Sequence, residues 1–229
     1  MISVCLASYD GSKYIADQVN SILRSPRVSE LLVSDDGSTD GTLEIVRGMH
    51  DPRLRILSGP RRGVVRNFEF ALGNASGDYV FLSDQDDVWY EDKVDVMVDA
   101  LQDADLAVSD CAIVNSDLED SGQTLFQARG AGPGVLRNLL KNSYLGCCMA
   151  FRRSVLEYVL PFPDRIPMHD WWIGLMVNLK GRVCFINRPL VQYRRHSGNL
   201  TSTAEGSQAS LWSQLKWRMQ MLAGLASRA

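Results

Sequence analysis

The chain has 229 residues, 45% hydrophobic and 22% charged, with a formal net charge of -3. That length suits one sizeable core, and the charge gives no electrostatic reason for bulk nucleic-acid binding. The five cysteines, Cys5, Cys111, Cys147, Cys148 and Cys184, follow neither zinc-ligand spacing nor a disulfide framework, and we read them as reduced core thiols of a cytosolic protein.

MISVCLASYD starts directly in a strand without a basic leader, and no apolar run is long enough to span a bilayer. The expectation is a soluble protein, at most attached to a membrane surface. Ile2 to Ala7 is a β-rich run, and the segment from Tyr14 places Ile15, Val19, Ile22 and Leu23 at helical spacing. ELLVSDD predicts a second strand and the segment from Thr42 a second helix. LRILSG, Val64 to Leu72 and DYVFLSD continue the alternation, and a helix from about Glu91 to Leu101 leads into the strand DLAVSD. This rhythm predicts an α/β fold with a mostly parallel central sheet flanked by helices.

Beyond Asp110 the pattern loosens. Asn115 to Pro133 is polar and Gly-rich and reads as a loop, followed by a helix from Val135 to Lys141 and the apolar stretch YLGCCMAFRRS. A short helix near Val155 precedes PFPDRIP, where each proline restricts the residue before it. HDWWIGLMVNLKG reads as a buried helix ended by Gly181, and RVCFI and LVQYR as two separate strands. One domain is expected over residues 1–204, with a helical tail over 205–229.

In parallel sheets ligands bind beyond the carboxyl ends of the strands. Four such ends are polar here: ASYD from Ala7, DDGS from Asp35, SGPRRG from Ser58 and DQDD from Asp84. Carboxylates as close as Asp84, Asp86 and Asp87 repel one another unless a cation lies between them. Oxygen ligands suit Mg²⁺ or Mn²⁺, with the remaining ligands coming from substrate phosphates. The plainer reading is an acidic cap on the following helix. In DDGSTDGT, Gly37, Gly41 and the capping Asp40 or Thr42 account for a turn and a helix start. They leave open a carboxylate that accepts the imide N–H of a pyrimidine.

Taken in order, ASYDG, VSDDGSTDGT, GVVRNFEFAL, FLSDQDDVW, HDWW and YRRHSGN resemble the family 2 glycosyltransferases of the GT-A fold, over about residues 2–204. The DQDD and HDWW forms are most similar to bacterial rhamnosyltransferase-like members that build surface polysaccharides. The resemblance implies a nucleotide-binding half over about residues 1–110 and an acceptor half over about 111–204. It also implies inverting transfer from a nucleotide-diphosphate sugar to a hydroxyl of a growing, lipid-linked cell-surface glycan. The leading donor is dTDP-rhamnose, with a UDP-sugar as the other choice. Carried onto this chain, it places Ser8, Tyr9, Asp35, Arg66 and Asp84 around the nucleotide. Asp86 and His196 fall on Mn²⁺ or Mg²⁺, and Gln85, Gly146, His169 and Trp171 near sugar or acceptor. Asp87 is left as a helix cap or a further member of the acidic trio.

Inversion needs a base on the face opposite the leaving group. Asp170, at a predicted helix start where the dipole favours the anion, is the candidate. Trp171 and Trp172 suit either sugar stacking or the core. Two other classes compete with a transferase. A nucleotide-sugar or carbohydrate-binding module without catalysis has no use for Asp170, and a nucleotidyltransferase would want a Gly-rich phosphate loop that ASYDGSKY matches poorly. In the tail, Leu211, Leu215, Met219 and Leu222 with Lys216, Arg218 and Arg228 permit a helix at the inner face of the plasma membrane. The competing reading is a helix folded back onto the domain or onto a partner subunit.

Overall fold

The computed structural model describes residues 1–196 and 210–228. The SGN that follows His196 and the expected domain end at residue 204 lie outside the described residues. Strands β1 (Ile2–Ser8), β2 (Glu30–Asp35), β3 (Leu54–Ser58) and β4 (Tyr79–Ser83) pair in parallel in the order β3-β2-β1-β4. They alternate with helices α1 (Ile15–Leu23), α2 (Thr42–Arg47) and α3 (Val64–Gly73). β1 and β2 are buried at every position, as strands covered on both faces are, which is why they read as mainly apolar runs. Ile15, Val19 and Ile22 of α1 join one core cluster, and Phe68, Ala71 and Leu72 of α3 join another.

The second half is mixed. In chain order it contains β5 (Val88–Trp89), α4 (Lys93–Ala100), β6 (Leu106–Val114), β7 (Asp120–Thr124), α5 (Leu125–Arg129) and α6 (Val135–Leu140). β8 (Met149–Arg152), α7 (Leu156–Val159), α8 (His169–Lys180), β9 (Val183–Arg194) and α9 (Leu211–Ala226) follow. The sheet runs β3-β2-β1-β4-β8-β6-β9-β5, with β7 on β6. β8 is antiparallel to both β4 and β6, while β9 is parallel to β6.

Two expectations are corrected. The segment expected as a loop over Asn115 to Pro133 contains β7 and α5, the helix closed by a reciprocal capping box between Thr124 and Gln127. RVCFI and LVQYR are one strand, β9. Pro189 donates no ladder bond, and the register with β6 shifts on either side of Asp110, opposite it.

Helix α8 is buried from His169 through Val177. A helix apolar on every side needs cover on every side. α9 supplies part of it: Met221, Gly224 and Leu225 are buried, and the Gly224 Cα faces the Trp172 ring and Pro163. Arg218 ties α9 to α6 through the Leu139 and Leu140 carbonyls (3.3 and 2.8 Å). Among the described residues no helix is long and apolar enough to cross a membrane.

Candidate active site

The shared direction of β1, β2 and β4 brings Ser8, Asp35 and Asp84 to one edge of the sheet. Asp35 is buried and its carboxylate is filled from its own surroundings. One oxygen accepts the Gly37 and Ser38 amides (3.0 and 2.8 Å), and the other accepts the Ser8 and Ser38 hydroxyls. With about four acceptor positions on a carboxylate, a pyrimidine imide reaches Asp35 only by displacing one of these donors. Tyr9 is 59% exposed, leaving its ring free beside the loop. Its backbone N–H and carbonyl are both taken by the Gln85 side-chain amide (2.8 and 3.0 Å), which locks the ends of β1 and β4 together.

After β4 the chain turns through the acidic run. Asp86 Oδ2 lies 2.9 Å from His196 Nε2, and the His196 ring packs 4.8 Å from that of Tyr14. Asp87 is fully buried and does not cap α4. One of its oxygens accepts the Arg194 amide (3.0 Å), and the other meets nothing stronger than the Cys147 thiol. Ligand atoms of Asp84, Asp87 and Cys147 lie within 4.8 Å of one another.

These acids hold their protons strongly. Burial, then the charges of Asp86 and Asp170, push Asp84 up to about 8. Burial followed by Asp86 and Asp84 raises Asp87 well above the carboxylate range, and burial raises Asp86 against the opposing pull of His196. A part-buried cluster of carboxylates that resists ionising alone is what a divalent cation makes tolerable. Among the described residues the ligand atoms of Asp84 and Asp87 gather with Cys147, while Asp86 pairs with His196 next along the same turn; carboxylate oxygens and an imidazole are the donor types that suit Mn²⁺ or Mg²⁺.

Two buried cations escaped the sequence reading. Lys93 is fully buried, with Nζ on the Cys147 carbonyl (2.5 Å) and 4.3 Å from the Trp89 ring centre. Burial lowers its pKa, while its charge pulls that of Asp84 down. The signal was its spacing with Met97 and Leu101, which puts it on the buried stripe of the helix. Arg194, 3% exposed, binds the Asp86 carbonyl (2.8 Å), the Ser116 carbonyl (2.7 Å) and Asp17 (3.1 Å), with its guanidinium 4.4 Å from the Tyr14 ring centre.

On the opposite side, α8 begins with His169 and Asp170. Asp170 accepts the Gly146 amide (3.1 Å) and the Trp171 amide (2.6 Å). Burial raises its pKa to about 6, while the two amides and the charge of Arg129 restrain the rise. His169 is buried, stacked 3.9 Å from the Phe68 ring, and neither ring nitrogen has a hydrogen-bond partner among the described residues. Burial lowers its pKa to about 3, so it is neutral at pH 7. A Cβ on Gly146 would lie 3.1 Å from His169 Nε2, so a side chain there would crowd both residues.

Two expected contacts have other employment. Trp171 is 8% exposed and its indole N–H donates to the Asn138 carbonyl (2.8 Å), which makes it a core anchor between α8 and α6 rather than a sugar platform. Arg66 is bound by Glu69, Asp164 and the Phe162 carbonyl, so it ties α3 to the loop before α8 instead of facing a nucleotide.

Residues 3–160 match the family described as Glycosyl transferase family 2. The chain belongs to that family. It is 28% identical over 214 residues to the dTDP-rhamnosyl transferase RfbG of Shigella flexneri, covering 85% of this chain and 72% of RfbG. Its fold is similar to S. aureus TarS bound to UDP-GlcNAc, with a TM-score of 0.67, 20% identity and coverage of 89% of this chain and 61% of that one. A second similar structure is glucosyl-3-phosphoglycerate synthase from Mycobacterium tuberculosis with Mn²⁺, UDP and phosphoglyceric acid. There the TM-score is 0.61 and the identity 23%, over 100% of this chain and 78% of that one. The family 2 chain thus has the GT-A fold and spans about two thirds of the length of several proteins it matches.

Proposed function

We propose that this chain transfers a sugar, with inversion, from a pyrimidine nucleoside diphosphate to a hydroxyl of a bacterial cell-surface glycan. dTDP-rhamnose is the first donor to test, because of the likeness to RfbG. The observation that carries the reading is that two consecutive residues join the candidate base to the acidic strand end: the Gly146 amide lies on Asp170 (3.1 Å), and the Cys147 ligand atom lies within 4.8 Å of those of Asp84 and Asp87. Asp86 and His196, already in contact, would hold Mn²⁺ or Mg²⁺ with Asp84 beside them. When bound, such an ion offsets the negative charge that builds on the departing diphosphate. Ser8, Asp35 and the exposed Tyr9 ring would take the nucleoside, and the Gln85 clamp would hold β1 and β4 at a fixed separation.

Asp170 takes the proton of the acceptor hydroxyl as that oxygen attacks the anomeric carbon. A carboxylate of pKa about 6 is ionised at pH 7 and is a stronger base than an ordinary aspartate. The Gly146 amide fixes its orientation. Neutral His169, with both nitrogens unfilled, would donate to or accept from a sugar hydroxyl next to that base.

The test is calorimetric titration with dTDP, UDP and GDP, each with and without Mn²⁺, on wild type and Asp86→Ala. Metal-dependent binding of one pyrimidine diphosphate, lost in the variant, is the expected result. A folded protein that binds no nucleotide would overturn the proposal.

A further inference from the structure

α9 is oriented unlike an ordinary surface helix. Met221, Gly224 and Leu225 hold it to the domain. At about 3.6 residues per turn, Leu211, Trp212, Leu215, Met219 and Leu222 cluster on the opposite side. All five are exposed, Leu211 and Trp212 by more than 80%. The outward face, where polar residues are expected, is apolar. Leu136 and Leu140 of α6, the helix joined to α9 through Arg218, are 76% and 67% exposed. They extend the same surface, and patches of this kind mark interaction sites.

Charge selects the partner. The segments 121–156 and 210–228 contain no Asp or Glu, in a chain that has 27. α6, α9 and their flanks carry Arg129, Arg137, Lys141, Lys216 and Arg218 instead. A second copy packed face to face would bring like charges together. An anionic bilayer attracts them, by about 1 kcal/mol per basic residue near the surface, and takes up the leucines and tryptophan at the headgroup boundary. We infer that the α6–α9 face docks on an anionic lipid surface.

The placement has a consequence for the acceptor, which rests on the transferase reading. The Asn138 carbonyl of α6 holds the Trp171 indole, and Trp171 adjoins Asp170. Docking by this face would bring the candidate base toward the membrane where a lipid-linked hydroxyl is held.

The test is co-sedimentation with vesicles of phosphatidylcholine alone or mixed with phosphatidylglycerol, at low and high salt. Salt-sensitive binding to the anionic vesicles is expected. It should fall by at least about tenfold in Leu215→Gln/Met219→Gln and in Leu136→Gln/Leu140→Gln, with the circular dichroism spectrum and nucleotide binding kept. No binding at low salt by the folded protein would overturn the inference, as would binding that both variants retain. A concentration-dependent dimer, lost in the same variants, would assign the face to a second copy and also overturn it. Vesicle binding without nucleotide binding would sink the transferase reading alone, and nucleotide binding without vesicle binding would sink docking alone.

Discussion

At the scale of single residues, Asp170 bears the sharpest consequence. Its carboxylate must be ionised to act as a base, so a pKa of about 6 sets the acid limb of the rate profile. kcat/KM should fall about tenfold per pH unit below that point and level off above it. Asp170→Asn keeps the shape and can still accept the Gly146 amide, but it has no basic oxygen. Turnover should drop by about 10² to 10⁴, with nucleotide affinity by calorimetry unchanged. A variant with near-normal turnover would move the base elsewhere. The neighbouring His169 is a different kind of residue. Leaving two buried ring nitrogens without partners costs stability, and such a cost retained beside the candidate base calls for an explanation in function. His169→Leu is therefore expected to raise the melting temperature and to weaken transfer, the loss appearing mainly in the acceptor KM.

At the scale of elements, α8 decides how the two halves of the site meet. It crosses the Tyr144 ring at Gly174, where a Cβ would fall 2.3 Å from a ring carbon. Gly174→Ala must displace either that ring or the helix that carries Asp170. A loss of about 1–3 kcal/mol is expected from the denaturant midpoint, along with reduced turnover, and an unchanged midpoint would show that the ring yields freely. The glycine's role was invisible in HDWWIGLMVNLKG, because it depends on a residue thirty positions earlier. Other elements were legible for local reasons. β1, β2 and β4 stand out because strands covered on both faces are mainly apolar, and their polar carboxyl ends stand out against them. β7 was not legible because DSGQT is polar and exposed, and the five residues of α5 are too few to show a helical period although its Thr124–Gln127 capping box stands in the sequence, while a continuous β9 was hidden by Asn187-Arg188-Pro189. Asp86 and His196 could be grouped by motif order. The burial of Asp87 against Cys147, the Gln85 clamp and the triple attachment of Arg194 are products of tertiary folding and leave no local trace.

At the scale of the whole molecule, acid stability exposes the balance of the buried titratable groups. Glu30, buried in β2, and Asp40 behave as hydrogen-bonded carboxylates commonly do. Against the upward push of burial, hydrogen bonds from Ser3 and Ser76 lower Glu30, and those from Thr42 and Ser12 hold Asp40 at about 2. Their contribution is present above the ordinary carboxylate range and is lost as pH falls through the folded values. His169 adds to that loss from a higher starting point. Its folded pKa is about 3 against 6.5 when unfolded, so between those values the unfolded chain binds a proton that the fold refuses. Stability then falls with pH across that window, by at most about 1.4 kcal/mol per unit. Asp170 acts in the opposite sense. With a folded pKa of about 6 against 3.8, the fold binds the extra proton between those values, and stability falls as pH rises. Two adjacent residues thus oppose each other over roughly pH 4 to 6, while Asp84, Asp86 and Asp87, also raised, act there in the same sense as Asp170. Single substitutions unmask each one. Relative to wild type, His169→Leu should gain stability progressively as pH falls from 6.5, whereas Asp170→Asn should gain it as pH rises from 4 to 6. Denaturant unfolding at pH 4, 5, 6 and 7 measures both differences. Parallel curves for either variant would mean that its group titrates at an ordinary pKa, and for Asp170 that would remove the elevated basicity on which its proposed role depends.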